Sequence, residues 1–472
     1  MLFEDTSEQT WKQRYTALEQ RFIALEQRFI ALEQKCHQLE AENQALREKL
    51  NTNSKNSSKP PSQDPFKKSR ASKSRGRKPG GQPGHLGHER KVYPPEQVTQ
   101  VIDLYPEACP NCCSTSFSPR SVAIESRQVI ELPQMLPDVI QYHIHTCECL
   151  CCNRSVRANV PKEAERGFGP RLMGFLTMLT AEGHLSKRKI CSIAQHLGVR
   201  ISLGALCKIH KLAGELLEDP AQTIQAHVLQ TGKVNADETS WRVLNNKCWM
   251  WIGAAANATF FKIDPSRSTQ AYFRIFGPFK GTLTADRYGA YNQHTGRKQS
   301  CLAHIDRYFA KMSERPGIDG AFGRILEKQL DQIFDLWSGF KKREISREVL
   351  QKTAAEPIEN IRVTLMFATQ QAKNSKTIAL AHDLLDRFDT LWTFLYEAGV
   401  EPTNNLAERG LRPAVILRKL SYGNQSQWGA EFTERLMTVA CTLKQNSTNL
   451  LKFLTHLFEA HHGARSPPVL NF

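Results

Sequence analysis

The chain has 472 residues, 40% of them hydrophobic, which predicts several domains with enough apolar side chains to form buried cores. Lys and Arg outnumber Asp and Glu by 63 to 47, and the net charge of +16 favours a polyanionic partner such as nucleic acid. No apolar run is long enough to span a bilayer, and the start MLFEDTSEQT lacks the basic and apolar regions of a secretory signal, so we expect a cytoplasmic protein.

Leucine recurs every seven residues near the N-terminus, at positions 18, 25, 32, 39 and 46. This heptad pattern predicts a coiled coil over residues 1–50. Asn43 falls at an a position, where its amide pairs best with its own copy, so we expect a parallel homodimer. The alternative is a long amphipathic helix that folds back on its own chain.

Residues 51–95 are rich in Ser, Pro, Gly, Lys and Arg. Such a segment cannot bury enough apolar surface to order itself, which predicts a basic disordered linker. Its charges can also contact phosphates without sequence specificity.

Seven of the thirteen cysteines fall between positions 109 and 152. Two CxxC pairs supply four thiolates, which suit one structural Zn²⁺ ion, so we predict a zinc-ribbon-like domain over 96–165 with strands at RQVIEL and VIQYHIH. The extra residues Cys113, Cys147 and Cys151 leave the choice of ligands open, and four unrelated buried thiols are the alternative. The predicted ligands are Cys109, Cys112, Cys149 and Cys152.

Residues 166–228 have helical patterns. Within them, a helix, a turn at Gly198 and a second helix that starts near Ser202 fit a helix-turn-helix that binds DNA. Any two short packed helices with a Gly between them give the same pattern, so both interpretations stay open.

From residue 229 onward the pattern predicts strands, and two of them carry acids at or near their ends, Asp237 with Glu238 and then Asp286. Glu408 would lie in the first turn of a helix that Asn404 or Asn405 caps. Carboxylates brought together in this way suit two Mg²⁺ ions and phosphodiester chemistry, although each acid alone is better explained as solvated surface. Amphipathic helices predict an insertion at about 312–400, within a catalytic domain over 229–450 that is followed by a C-terminal tail, 451–472.

Long stretches resemble the insertion sequence 66 family of bacterial DDE transposases, in the order in which the family has them. They include the N-terminal heptads and the two cysteine pairs. The others are NSKNSSKPPSQD, RGRKPGGQPGHLGH, FGPRLMGFLTMLTAEGHLSKRKI, DETSWRV, ADRYGAYN, CLAHIDRYF and NNLAERGLRP.

The resemblance implies a multidomain α+β protein with an RNase H-like α/β catalytic domain, in which Asp237, Asp286 and Glu408 are the catalytic acids. It also implies Mg²⁺-dependent cleavage at transposon ends, transfer of the 3′ end into target DNA, accessory proteins of the same element and a bacterial, nucleoid-associated location. Glu238 belongs to the same motif and would support the site. Two other functions stay open, a non-catalytic regulatory or domesticated DNA-binding relative and a nuclease that cuts without joining.

Six basic residues lie near the acids or in the family's motifs and are candidates for DNA contact, although a packing histidine and solvated surface charges explain them equally well. They are His304, Arg307, Arg409, Arg412, Arg418 and Lys419.

Overall fold

The computed structural model of the protein describes residues 5–53, 56–57, 92–117, 125–133, 136–162, 164, 167–470 and 472. Most of the predicted basic linker, 58–91, lies outside them. The chain divides into two compact units. The larger contains 1–65, 143–192 and 201–472, and the smaller contains 66–142 and 193–200. None of the helices in the described ranges has the length and apolarity needed to cross a membrane.

The N-terminal segment is one continuous helix, α1 (Asp5–Leu50). Its heptad side chains face solvent, with Phe22 63% and Leu25 67% exposed. Near its end, Glu48 forms ion pairs with Arg315 and Lys376, each at 3.1 Å. Paired charges therefore fix this end of α1 to the rest of the larger unit, while the described side chains of the apolar heptad row are left uncovered in the monomer.

The segment with clustered cysteines contains less regular structure than its sequence predicts. Where it is described, RQVIEL and VIQYHIH form no strand, and their apolar side chains, such as Val129 and Val139, are exposed. The prediction of strands there is wrong, because alternation forms a strand only where a partner pairs with it and covers one face. The strands of this segment are instead the short antiparallel pair β1 (Thr146–Glu148) and β2 (Ser155–Arg157).

In the described residues four helices follow, and two of them lie where the sequence predicts a helix-turn-helix, which stays a prediction. Gly198 has a φ of +78°, and the Ser202 side chain caps the second helix of the pair by accepting the Ala205 N–H. The four are α2 (Pro170–Ala181), α3 (Lys187–His196), α4 (Leu203–Leu216) and α5 (Glu218–Gln230).

A five-stranded mixed sheet follows, with the order β5-β4-β3-β6-β7. The first three strands in this order are antiparallel, and β6 and β7 continue the sheet in parallel with β3. The strands are β3 (Lys233–Val243), β4 (Asn246–Ala254), β5 (Thr259–Asp264), β6 (Thr282–Ala285) and β7 (Lys298–Ser300), and helix α6 (Thr269–Phe276) connects β5 to β6.

Asp237 lies inside its strand rather than at the strand end that its sequence suggests. β3 continues to Val243 because β4 pairs with it along nine residue positions, from Asn235 to Val243. The parallel neighbour β6 pairs only with Lys233 to Asn235. Asp237 therefore projects from a continuing strand just beyond the place where the adjacent strand stops.

The helices between β7 and the helix that carries Glu408 occupy the stretch in which the sequence predicts an insertion at about 312–400, and they begin earlier, at Leu302. They pack around a core of their own that contains Phe309, Leu326 and Leu365. These helices are α7 (Leu302–Ser313), α8 (Gly317–Lys341), α9 (Arg347–Gln371), α10 (Ser375–Asp386) and α11 (Thr393–Tyr396).

The chain then returns to the sheet through α12 (Asn405–Ser421) and α13 (Gln427–Gln445), which share a buried core with the strands. Half of the expected C-terminal tail, 451–472, is helical instead, because residues 450–461 form helix α14 (Leu450–His461). Phe453, Leu454 and Phe458 of α14 are buried. At Gly174 of α2 the two backbones approach so closely that an added Cβ would lie 3.1 Å from the Thr455 amide nitrogen.

Candidate active site

Asp237 and Asp286 are neighbours across the parallel pair β3 and β6. Asn235 of β3 pairs with Thr284 of β6, and each acid lies two residues after its member of this pair. Asp286 directly follows the last residue of β6. Backbone amides orient both carboxylates. The N–H of Glu238 donates to Asp237 Oδ1 and the N–H of Tyr288 to Asp286 Oδ1, both at 2.8 Å.

Glu408 reaches the same place from the first turn of α12, and Asn404 fixes the start of that helix. The Asn404 side chain donates to the Ala236 carbonyl at 2.8 Å and accepts from Asn235 at 3.1 Å. Asn404 is the N-cap, as the sequence allowed, but its side chain binds β3 instead of the helix. This tie to the strand was not predicted, and the sequence pattern contains no signal for it.

The three acids interact electrostatically. Burial, and then repulsion from Glu238, Asp286 and Glu408, raises the pKa of Asp237 well above its usual range. Oε1 of Glu408 is buried without a hydrogen-bond partner in the described part of the chain. A group of carboxylates with an unsatisfied oxygen fits a divalent cation, since hard cations are held by oxygen ligands and offset this repulsion.

Glu238 faces the opposite side of the sheet from Asp237, as adjacent residues of a strand do. Its carboxylate forms an ion pair with Arg267 and accepts the Tyr291 hydroxyl. Arg267 also stacks on the Tyr288 ring, 3.6 Å from its centroid. Glu238 thus supports the turn that holds Asp286. Sequence reasoning missed the roles of Arg267 and Tyr291, although Tyr291 lies in the ADRYGAYN motif.

His304 and Cys301 lie beside Glu408. The Nδ1 atom of His304 is 3.7 Å from Oε1 of Glu408, and Cys301, His304 and Glu408 form a cluster of potential metal ligands. Burial is the largest influence on both titrating groups. It lowers the pKa of His304 and raises the pKa of the Cys301 thiol to about 11.

The other DNA-contact candidates differ in their surroundings. Arg409, Arg412 and Lys419 are exposed on α12, while Arg307 is half-buried on α7. Arg418 donates to the Thr239 hydroxyl and the Ser240 carbonyl, at 2.9 and 2.7 Å. This guanidinium holds α12 against β3, which explains its charge without a contact to DNA.

The two cysteine pairs form turns of the same kind, which we call the first knuckle (109–114) and the second knuckle (149–154). The N–H of Cys109 donates to the Ser114 carbonyl, and Cys149 donates likewise to Arg154, both at 2.9 Å. The fifth residue of each turn has a positive φ, 57° at Cys113 and 51° at Asn153.

Backbone N–H groups point at the first thiol of each knuckle. They lower the pKa of Cys109, with Asn111 the largest contributor. In the second knuckle, the backbone N–H of Cys151 is the largest influence that lowers the pKa of the Cys149 thiol.

A model of the Transposase IS66 family matches residues 166–432, a span that contains the sheet, Asp237, Asp286, Glu408 and the helical insertion. The chain belongs to the IS66 family of transposases. A second model, for a family of unknown function (DUF6444), matches residues 8–91 of this chain.

Two proteins of Sinorhizobium fredii (strain NBRC 101917 / NGR234) are similar to this chain. The uncharacterized protein y4qI is 24% identical over 288 residues, 55% of this chain and 53% of y4qI. The uncharacterized protein y4hP is 21% identical over 395 residues, 76% of this chain and 71% of y4hP. The chain thus spans about half the length of y4qI.

We predict that Asn404→Ala lowers the free energy of unfolding by about 1–3 kcal/mol, because the buried Ala236 carbonyl loses its donor. The control is Asn405→Ala, which alters the adjacent exposed residue and should cost less than about 0.5 kcal/mol. Denaturant unfolding of both variants checks this, and equal costs would contradict it.

Proposed function

We propose that the protein is a DNA transposase that cleaves at transposon ends and transfers the 3′ end into target DNA, with Asp237, Asp286 and Glu408 as its catalytic acids. The observation that carries this proposal is the meeting of the three carboxylates from β3, the end of β6 and the first turn of α12. The sheet order, with three antiparallel strands and two further parallel ones, supports an RNase H-like catalytic domain.

The acids would hold divalent cations, and two Mg²⁺ ions suit these oxygen ligands. Bound metal would supply charge stabilisation for the attacking and leaving oxygens of the phosphodiester. The protein's own part is positioning. The N–H groups of Glu238 and Tyr288 orient the two aspartates, and Asn404 keeps Glu408 beside them. No side chain acts as a covalent nucleophile in this proposal.

DNA would be bound through several surfaces outside the acids. Arg409, Arg412 and Lys419 are exposed on the helix that carries Glu408, where they can contact phosphates of DNA in the site. The proposed helix-turn-helix presents Lys208 and Lys211 on the exposed face of α4. The linker and the zinc region would add sequence-independent contacts to DNA. The protein would act in the bacterial cytoplasm, and accessory proteins of the same element would complete the assembly.

The test is excision and integration in cells that carry the whole element, with Asp237→Asn, Asp286→Asn and Glu408→Gln compared with the unaltered protein. Each change keeps the side-chain shape and removes a metal-binding charge, so we expect a loss of roughly 100-fold or more in joining. Glu359→Gln, an amide change at an exposed acid of α9, is the control and should be neutral.

DNA binding, measured in parallel, separates the alternatives. Binding that persists while joining is lost supports the proposed acids. If the unaltered protein binds transposon ends but never cleaves them, it is a non-catalytic relative. If it cleaves the ends without joining them to target DNA, it is a nuclease. Normal joining by any of the three variants removes that acid from the site.

We also propose that the two knuckles hold one structural Zn²⁺ ion through Cys109, Cys112, Cys149 and Cys152. The matched turns support this choice, since Cys113 takes the place of Asn153 and Cys151 that of Asn111. Four thiolates leave no open position for chemistry, so this metal would serve the fold.

We predict about one zinc per purified chain, falling well below this in Cys112→Ser and Cys152→Ser because a ligand is lost. Cys113→Ser and Cys151→Ser, in the same turns, should keep their zinc. Elemental analysis of the four variants checks the assignment. Zinc loss on changing Cys113 or Cys151 would show that the ligands are misassigned.

We propose that α1 forms a parallel coiled coil with a second copy of the chain. The uncovered row of Leu and Phe side chains on α1 supports this, since burial against a copy removes it from water.

Leu25→Glu with Leu32→Glu should convert the dimer to a monomer, because the changes place charge in the apolar seam. The control, Gln27→Glu with Gln34→Glu, adds the same charge on the outer face and should stay dimeric. Sedimentation equilibrium distinguishes the two results. A monomeric wild type, or a dimer that survives the leucine changes, would refute the proposed dimer.

A further inference from the structure

His304 faces Glu408 because the starts of two helices are joined. The Leu302 N–H donates to the Pro402 carbonyl at 2.9 Å, and the Asn404 N–H donates to Cys301 Sγ at 3.2 Å. α7 and α12 therefore begin side by side. His304 is the third residue of α7 and Glu408 the fourth of α12, so both lie in first turns at this junction.

The facing atoms of these two side chains are buried and unsatisfied. Neither Nδ1 of His304 nor Oε1 of Glu408 has a hydrogen-bond partner in the part of the chain that the structure describes. Their separation of 3.7 Å is too long for a hydrogen bond between them. It is close to the spacing of two ligands that share one ion, since Zn–N and Mg–O distances of about 2.1 Å place such ligands about 3.0–3.6 Å apart.

Cys301, the third member of this cluster, is already used by the fold. Its Sγ accepts the backbone N–H of Asn404, and the residue is fully buried. Its sulfur therefore joins the two helices, which leaves the imidazole and the carboxylate as the two groups without partners. The side chain of His304 is only 16% exposed, so its Nδ1 faces the acids rather than open solvent.

We propose that Nδ1 of His304 is a ligand of the same divalent cation as Glu408, so that the carboxylate site has one nitrogen donor. This rests on the proposed function, which places a cation at Glu408. It also predicts metal selectivity. Imidazole binds first-row transition ions well, whereas Mg²⁺ prefers oxygen donors, so the site should prefer Mn²⁺ to Mg²⁺ by more than carboxylates alone would give.

The test uses the full-length protein and Mn²⁺ as the probe, with pulsed electron paramagnetic resonance to detect nitrogen bound to the ion. Wild type should show the ¹⁴N coupling, and labelling its histidines with ¹⁵N should replace that coupling with the ¹⁵N pattern. This result needs no variant and so does not depend on the folding of one.

Variants then assign the nitrogen. His304→Ala and His304→Asn should abolish the coupling and weaken Mn²⁺ binding at least about 10-fold, with a smaller effect on Mg²⁺. His382→Ala, at an exposed histidine of α10, is the control and should retain both the coupling and the Mn²⁺ affinity.

The outcomes separate this inference from the proposal on which it rests. Mn²⁺ binding that is lost in Glu408→Gln but shows no histidine nitrogen in wild type overturns the role of His304 and leaves the acids in place. A ¹⁴N coupling that persists in His304→Ala likewise overturns the role of His304 and leaves the acids in place. If Glu408→Gln binds Mn²⁺ as wild type does, or wild type binds none, the metal site itself is misplaced and both proposals fail.

Discussion

The contact on which the site most depends is the bond between Asn404 and strand β3. Glu408 is far from Asp237 along the chain, and the whole helical insertion lies between them. The buried Asn404 side chain binds the Ala236 carbonyl, on the residue before Asp237, and so fixes the start of α12 at the level of the acid. Because the hydrogen bond is buried, an arrangement that breaks it leaves polar groups unsatisfied, which disfavours a displaced α12.

The insertion can be long because it has a hydrophobic core of its own. Its helices bury residues such as Leu326 and Leu365 among themselves, whereas α12 and α13 pack with Trp241 and Met250 of the sheet. Two separate cores allow the chain to leave after β7 and return at α12 without disturbing the strands. The insertion nevertheless touches the site at its first turn, where Cys301 and His304 meet the start of α12.

Patterns within a few residues of one another predicted much of this structure. The helix of the α1 heptads, the Gly198 turn and the helix start near Ser202 are set by local chemistry, and the structure contains all three. The family was also predicted, because its motifs occur in order. That Asp237, Asp286 and Glu408 work together in catalysis stays a prediction.

The errors concern partners that are distant in the sequence. β3 passes beyond Asp237 because of its pairing with β4. The alternating segments near the knuckles form no strand, because nothing in the described part of the chain covers their apolar side chains. Arg418 resembles a surface charge until its bonds to Thr239 and Ser240 are seen. The role of Asn404 depends likewise on a partner 168 residues away.

We propose that Asp237, Asp286 and Glu408 surround one site for divalent cations. Cleavage of the backbone by bound Fe²⁺ with ascorbate and peroxide tests this proposal, since the radicals cut the chain only close to the ion. We expect cuts beside these three residues, all suppressed by excess Mg²⁺. Cuts confined to other segments, or cuts beside the acids that Mg²⁺ leaves unchanged, would contradict it.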